Sequence, residues 1–237
     1  MVRVIVKFLV RIFTLVVFRV QTYGQENIEK DKPYIMCANH TSNWDPPILY
    51  TATKREMYMM AKEELFRNKF IYWFANKTNI FPVKREKKDI ESIKKSIKVL
   101  NDNKILAIFP EGTRNGIIKN GKIQNGPAYL AARTGVQVIP VKIEGNFKPF
   151  TKVKIYYGKP LDFSSYKSKK PEKETLDLIS TKITEEIFGD LKQIISKESL
   201  WNISFFSYNR EIFISYHIKI AKRNLFETFH CVIMHKT

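Results

Sequence analysis

"YIMCANHTSNWDPPILY" (residues 34–50) passes from five apolar residues through a polar stretch to an Asp-Pro-Pro step and a second apolar run. Five consecutive apolar residues bounded by turn formers read as a strand buried on both faces. Aspartate followed by proline reads as a helix start, with Asp45 as N-cap and Pro46 at the first helical position. Strand, polar turn and helix in that order are the unit from which α/β domains are built. Outward from it, "MYMM" (57–60), "NIFPV" (79–83), "ILAIF" (105–109), "VQVIPVKI" (136–143) and "KVKIYY" (152–157) read as further strands. Segments of helical period lie between them. In "KDIESIKKSIKVL" the spacing puts Ile90, Ile93, Ile97 and Leu100 on one face, and Leu176, Ile179, Ile183, Ile187 and Leu191 predict a final helix over about 172–195. Helices between strands imply crossovers, so the expected fold is a single α/β domain with a largely parallel or mixed sheet flanked by helices.

The 237 residues are 44% apolar, enough for one domain with a substantial core and too apolar for a disordered chain. A net charge of +18 and a pI near 9.8 direct the surface toward polyanions, whether nucleic acid, anionic lipid or a phosphorylated substrate. Cys37 and Cys231 are too few for a disulfide framework, which points to a reducing, cytoplasmic environment. The opening "MVRVIVKFLVRIFTLVVFRV" has no uncharged run longer than Ile12 to Phe18, short of the ~20 apolar residues that cross a bilayer. Arg3, Lys7 and Arg11 instead stack on one stripe, with apolar residues covering the rest. Residues 1–22 therefore read as an amphipathic helix lying in the headgroup plane, each cation worth about 1 kcal/mol near an anionic surface. Docking on the protein's own core, or a short span with snorkelling ends, are the alternatives. Residues 23–197 form the main domain and 198–237 an extension without clear period or turn signals. There His230, Cys231 and His235 lack the fourth ligand and spacing of a metal site.

Three polar clusters follow strand ends: Asn39, His40 and Asp45 after "YIMCA", Lys84 and Arg85 after "NIFPV", and Glu111 with Arg114 after "ILAIF". In a parallel sheet they converge on the edge where ligands bind. A turn between His40 and Asp45 would let the carboxylate fix the imidazole tautomer, leaving the other ring nitrogen as a base. Equally, Asp45 can be only a cap and His40 a loop residue. In "FPEGTRNG", Gly112 permits a sharp turn, and Arg114 offers the planar fork that suits phosphate. Glu111 can orient that arginine, hold a substrate hydroxyl, or simply pair with it to close the turn.

Taken together, these blocks resemble the lysophospholipid acyltransferase family, in particular its bacterial 1-acyl-sn-glycerol-3-phosphate acyltransferases. "NHTSNWDP", "IFPVKR", "FPEGTRN" and "VIPVKI" correspond in order to four family motifs over about residues 23–195, although Thr78-Asn79-Ile80 departs from the glycine often found in the second. The resemblance implies His40 as general base and Asp45 as its orienting partner. It implies Arg85, Glu111, Gly112, Thr113 and Arg114 in binding the acceptor, and Pro140 in positioning or donor binding. The implied reaction moves an acyl group from acyl-CoA or acyl carrier protein to lysophosphatidic acid at the cytoplasmic face of the cell membrane, giving phosphatidic acid for phospholipid synthesis. Membrane lipids are the implied partners, and no metal or other cofactor is required. Glycerol 3-phosphate or another lysophospholipid is the alternative acceptor. A basic, non-catalytic binding protein for nucleic acid or membrane is the reading from another class. No nucleic-acid motif supports it, and no nucleic-acid partner is expected.

Overall fold

Tyr34 to Ala38 are all fully buried, and alternate residues of this strand face two different cores. Ile35 and Cys37 join Leu106, Ile108 and Val138 on one side, whereas Tyr34, Met36 and Ala38 join Ile105, Ala107, Ile139 and Val141 on the other. A strand covered on both faces needs apolar residues at every position, which is why "YIMCA" shows no alternation.

The computed structural model describes residues 2–84, 89–114, 116 and 123–189. These residues form a seven-stranded sheet of β1 (Arg19–Tyr23), β2 (Tyr34–Ala38), β3 (Met57–Lys62), β4 (Ile80–Val83), β5 (Ile105–Ile108), β6 (Val138–Gly145) and β7 (Lys152–Tyr157), ordered β1-β7-β6-β2-β5-β3-β4. Pairing is parallel throughout except between β6 and β7. The sheet is therefore mixed, with a five-stranded parallel body whose carboxyl ends share one edge. On one face lie α4 (Ile90–Asn101), α5 (Gly126–Thr134) and α6 (Lys173–Phe188); α2 (Asp45–Ala52) covers the other, with Phe18 just beyond α1 (Val2–Val17). Between β3 and β4, α3 (Lys69–Lys77) lies beside α1.

The structure shifts three details of the sequence reading. Residues 19–22, grouped there with the N-terminal helix, belong to β1. The helix stops at Val17, and the exposed edge strand "RVQTY" pairs with β7. In α4 the buried face is Ser92, Ser96, Val99 and Leu100, whereas Ile90 is 61% exposed. The serine hydroxyls satisfy themselves locally, Ser92 Oγ donating to Asp89 and Ser96 Oγ to the Ser92 carbonyl, so small polar residues can face the sheet. The last helix ends at Phe188, where Gly189 adopts φ 77°, a conformation that favours glycine. The expected continuation to 195 and the extension 198–237 lie outside the described residues.

α1 rests on α2 through a buried hydroxyl pair, Thr14 Oγ1 to Thr51 Oγ1 at 3.1 Å, and through Phe13, whose ring lies 5.8 Å from that of Trp44. It nevertheless exposes Ile5, Phe8, Leu9, Ile12, Phe13 and Val16, all more than 40% accessible. No described helix is long and apolar enough to cross a membrane.

Candidate active site

The chain leaves β2 at Ala38, and Asn39 ties the exit down. Its side-chain amide donates to the Ile143 carbonyl at 2.9 Å, and its Oδ1 accepts the Ile143 N–H at 2.6 Å, so a side chain continues the pairing to β6 for one more residue. His40 follows at the sheet edge. Its Nδ1 lies 3.0 Å from Asp45 Oδ2, with Asp45 fully buried and the imidazole 18% exposed.

The same Asp45 oxygen accepts the backbone N–H groups of Thr41 and Ser42, both at 2.7 Å. Asp45 is thus the first residue of α2 rather than a cap in front of it. Its carboxylate turns back into the loop instead of onto the helix N–H groups, because three donors converge there. The Ser42 hydroxyl takes the Trp44 N–H at 3.2 Å, closing the turn that lets the chain double back. Asp45 Oδ1 is buried without a hydrogen-bond partner among the described residues, so the hydrogen bonds of this carboxylate gather on Oδ2. With Nδ1 bound to Asp45, Nε2 is the ring nitrogen left for a substrate. The Phe109 ring, 4.6 Å from the imidazole between centroids, shields one side of it.

From β5, the turn Phe109–Arg114 brings the second cluster to the same place. Gly112 closes it with φ 70° and an N–H donated to the Phe109 carbonyl; a side chain there would strike Gln124, 2.7 Å from where its Cβ would stand. Glu111 is only 2% exposed, and its Oε1 accepts the His40 N–H at 2.6 Å. Thr113 and Arg114 are exposed on the same turn.

Pro140 is buried in β6, in register with Cys37 of β2. Gly158 donates to its carbonyl, while Val138 pairs with Leu161. The strand opposite carries an extra residue at this point, so the missing proline N–H falls where regular pairing has already broken. At the end of β4, Lys84 is exposed, 3.7 Å from Glu63. Arg85 lies outside the described residues.

Burial pushes the Cys37 thiol far above its ordinary range, so it stays protonated and is a poor nucleophile beside His40. Among the described residues no group of His, Cys, Asp and Glu is arranged to hold a metal ion. Asn39 stands in the first polar cluster of the sequence, but its clamp on Ile143 is not legible there, because the partner lies 104 residues away. The Phe109 wall is missed altogether, since an aromatic after a strand reads as core.

The acyltransferase family model matches residues 19–144, which include the His40–Asp45 turn and the Glu111–Arg114 turn. The chain is 31% identical over 176 residues to the 1-acyl-sn-glycerol-3-phosphate acyltransferase of Bacillus subtilis, covering 71% of this chain and 86% of that protein. It is also 31% identical over 167 residues to the protein of the same name from Streptococcus pneumoniae, covering 66% of this chain and 60% of the relative's length. The crystal structure of the 1-acyl-sn-glycerophosphate acyltransferase PlsC from Thermotoga maritima superimposes with a TM-score of 0.55 at 27% identity, over 78% of each chain. With its mixed sheet, its paired turns and these matches, the chain belongs to the acyltransferase family.

Proposed function

We propose that this protein transfers a fatty acyl group from a thioester, acyl-CoA or acyl carrier protein, to the sn-2 hydroxyl of 1-acyl-sn-glycerol 3-phosphate, forming phosphatidic acid. The observation that carries this reading is the 3.0 Å contact of His40 Nδ1 with the buried Asp45, at the edge where the turns after β2 and β5 meet. The names of the bacterial relatives support the acceptor.

An alcohol is a weak nucleophile at neutral pH. His40 Nε2 takes its proton as the oxygen attacks the thioester carbonyl, an assistance typically worth about 10²- to 10⁴-fold. Asp45 holds the resulting imidazolium without being protonated itself. Collapse of the tetrahedral intermediate breaks the carbon–sulfur bond, and the imidazolium returns its proton to the thiolate. Arg114, exposed on the facing turn, receives the acceptor's phosphate, joined by Arg85. The apolar side of α1 sits on the cytoplasmic face of the membrane, where both substrate tails reside.

The test is to incubate purified protein with a panel of lysophospholipids, glycerol 3-phosphate and both thioester donors, and to identify products by mass spectrometry. Phosphatidic acid from 1-acyl-sn-glycerol 3-phosphate, lost in His40→Ala with an unchanged thermal melt, is the expected result. Full activity in a folded His40→Ala protein would sink the general-base role, and a different product would reassign the acceptor.

A further inference from the structure

We propose that Glu111 is a positioning residue for His40, fixing the backbone from which the imidazole projects, and that it does not bind the acceptor. This rests on the acyl-transfer reading above and changes the role within it that the sequence resemblance implies for this glutamate.

The geometry is specific. Glu111 Oε1 accepts the His40 N–H at 2.6 Å, joining the end of β5 to the end of β2 across 71 residues of sequence. At 2% exposure, Glu111 presents almost no surface to an incoming glycerol or phosphate, in contrast to the exposed Thr113 and Arg114 beside it. The turn is built to keep it inward. Gly112 at φ 70° reverses the chain after it, and Gly116 packs so tightly beneath that a Cβ there would lie 2.3 Å from the Glu111 carbonyl oxygen.

Glu111 also completes a pattern. The N–H groups of His40, Thr41 and Ser42 point to two buried carboxylates from different elements, Glu111 taking the first and Asp45 the next two. With Asp45 also on Nδ1, the peptide and the ring of His40 are each held by a separate anion. Proton transfer in a bound complex tolerates little displacement, since misplacement by about 1 Å can cost about 10²-fold. Without the Glu111 bond, the peptide preceding the imidazole has lost one of its two anchors, the other being Asn39.

The experiment uses the full-length protein and reads the His40 amide directly. Hydrogen–deuterium exchange with residue-resolved fragmentation should show His40 N–H exchange at least about tenfold faster in Glu111→Ala, while the amides of Met36 and Cys37 stay protected. In the acyl-transfer assay the same variant should lower kcat at least about tenfold with the acceptor KM within about twofold. Glu111→Gln, whose amide oxygen accepts the same N–H, should restore both exchange and kcat to within about threefold of wild type. Should Glu111→Ala fail to fold, Glu111→Asp replaces it: the charge remains, but one methylene less draws the carboxylate away from the amide, and the same losses are expected. Unchanged His40 exchange in a folded Ala or Asp variant would overturn the proposal, as would a tenfold rise in acceptor KM with kcat retained. Absence of transfer by the wild-type protein to any lysophospholipid would overturn the acyl-transfer reading instead, and the exchange result would still decide the clamp.

Discussion

Replacing Asp45 by asparagine removes a single charge from beneath His40 while preserving the size of the side chain. In the proposed mechanism the imidazolium exists only after proton transfer, so the charge acts selectively on the transition state. His40 Nδ1 and Asp45 Oδ2 are 3.0 Å apart, which puts the charge centres about 4 Å from each other. At an effective dielectric of about 20 this separation is worth about 4 kcal/mol, or a roughly 10³-fold loss of kcat. The acceptor KM should change little, because Asp45 is fully buried and touches no substrate. The backbone bonds from Thr41 and Ser42 can survive on the amide oxygen, so the loop should hold its shape. Asp45→Ala, by contrast, leaves two N–H groups without an acceptor at about 1–3 kcal/mol each and should lower stability as well as activity. Thiol release from the donor gives kcat and KM, and thermal melts followed by circular dichroism report folding. A folded Asp45→Asn protein retaining more than about a tenth of wild-type kcat would refute the electrostatic role.

Three further outcomes follow from the structure. Asn39→Ala strands both main-chain polar groups of Ile143, its N–H and its C=O, so urea unfolding should show a loss of about 3 kcal/mol; a change below about 1 kcal/mol would mean that water or a shifted backbone replaces the amide. Burial pushes the Tyr157 phenol up to about 12, with its hydrogen bond to Thr53 opposing the shift only in part. The unfolded chain ionises first, so this contribution is complete below pH about 10 and is lost up to about 12, roughly 2–3 kcal/mol in all. Tyr157→Phe should flatten that alkaline decline, and an identical decline in the variant would exclude Tyr157 as its source. Cys37, buried in β2 with its thiol held protonated, should resist iodoacetamide in the native protein and react in urea; native alkylation mapped to Cys37 would contradict its place in the sheet.

Much of this architecture is legible in the residues because burial on two faces leaves an unmistakable trace. "YIMCA" and "KVKIYY" coincide with β2 and β7 residue for residue. β1 is not legible: an edge strand with four of five residues exposed needs no apolar run, and "RVQTY" follows a helix without turn punctuation. Nor is the reversal between β6 and β7 visible, since direction depends on the path of the connection rather than on composition. At the site, charge and spacing identify His40 and Asp45, and the turn that joins them follows from Ser42 and the Asp-Pro step. The burial of Glu111 is a different matter. The sequence offers Arg114 or a substrate as partner for this glutamate, and only the parallel pairing of β2 with β5, which sets their ends side by side, supplies the N–H that it accepts instead.

The seat of α1 on α2 has a consequence for how a lipid substrate is reached. α1 rests on α2 through Thr14 and Thr51, and its Phe13 ring lies 5.8 Å from that of Trp44, the residue before Asp45, so the His40–Asp45 turn stands close to the helix whose apolar side is exposed. If that side lies among the headgroups, the acceptor hydroxyl can meet His40 while most of its chain remains in the bilayer. Lifting a lysolipid wholly into water would cost about 0.8 kcal/mol for each methylene withdrawn. A protein arranged in this way works as a shallow scraper of the leaflet, and lengthening the acceptor's tail should therefore leave turnover almost unchanged.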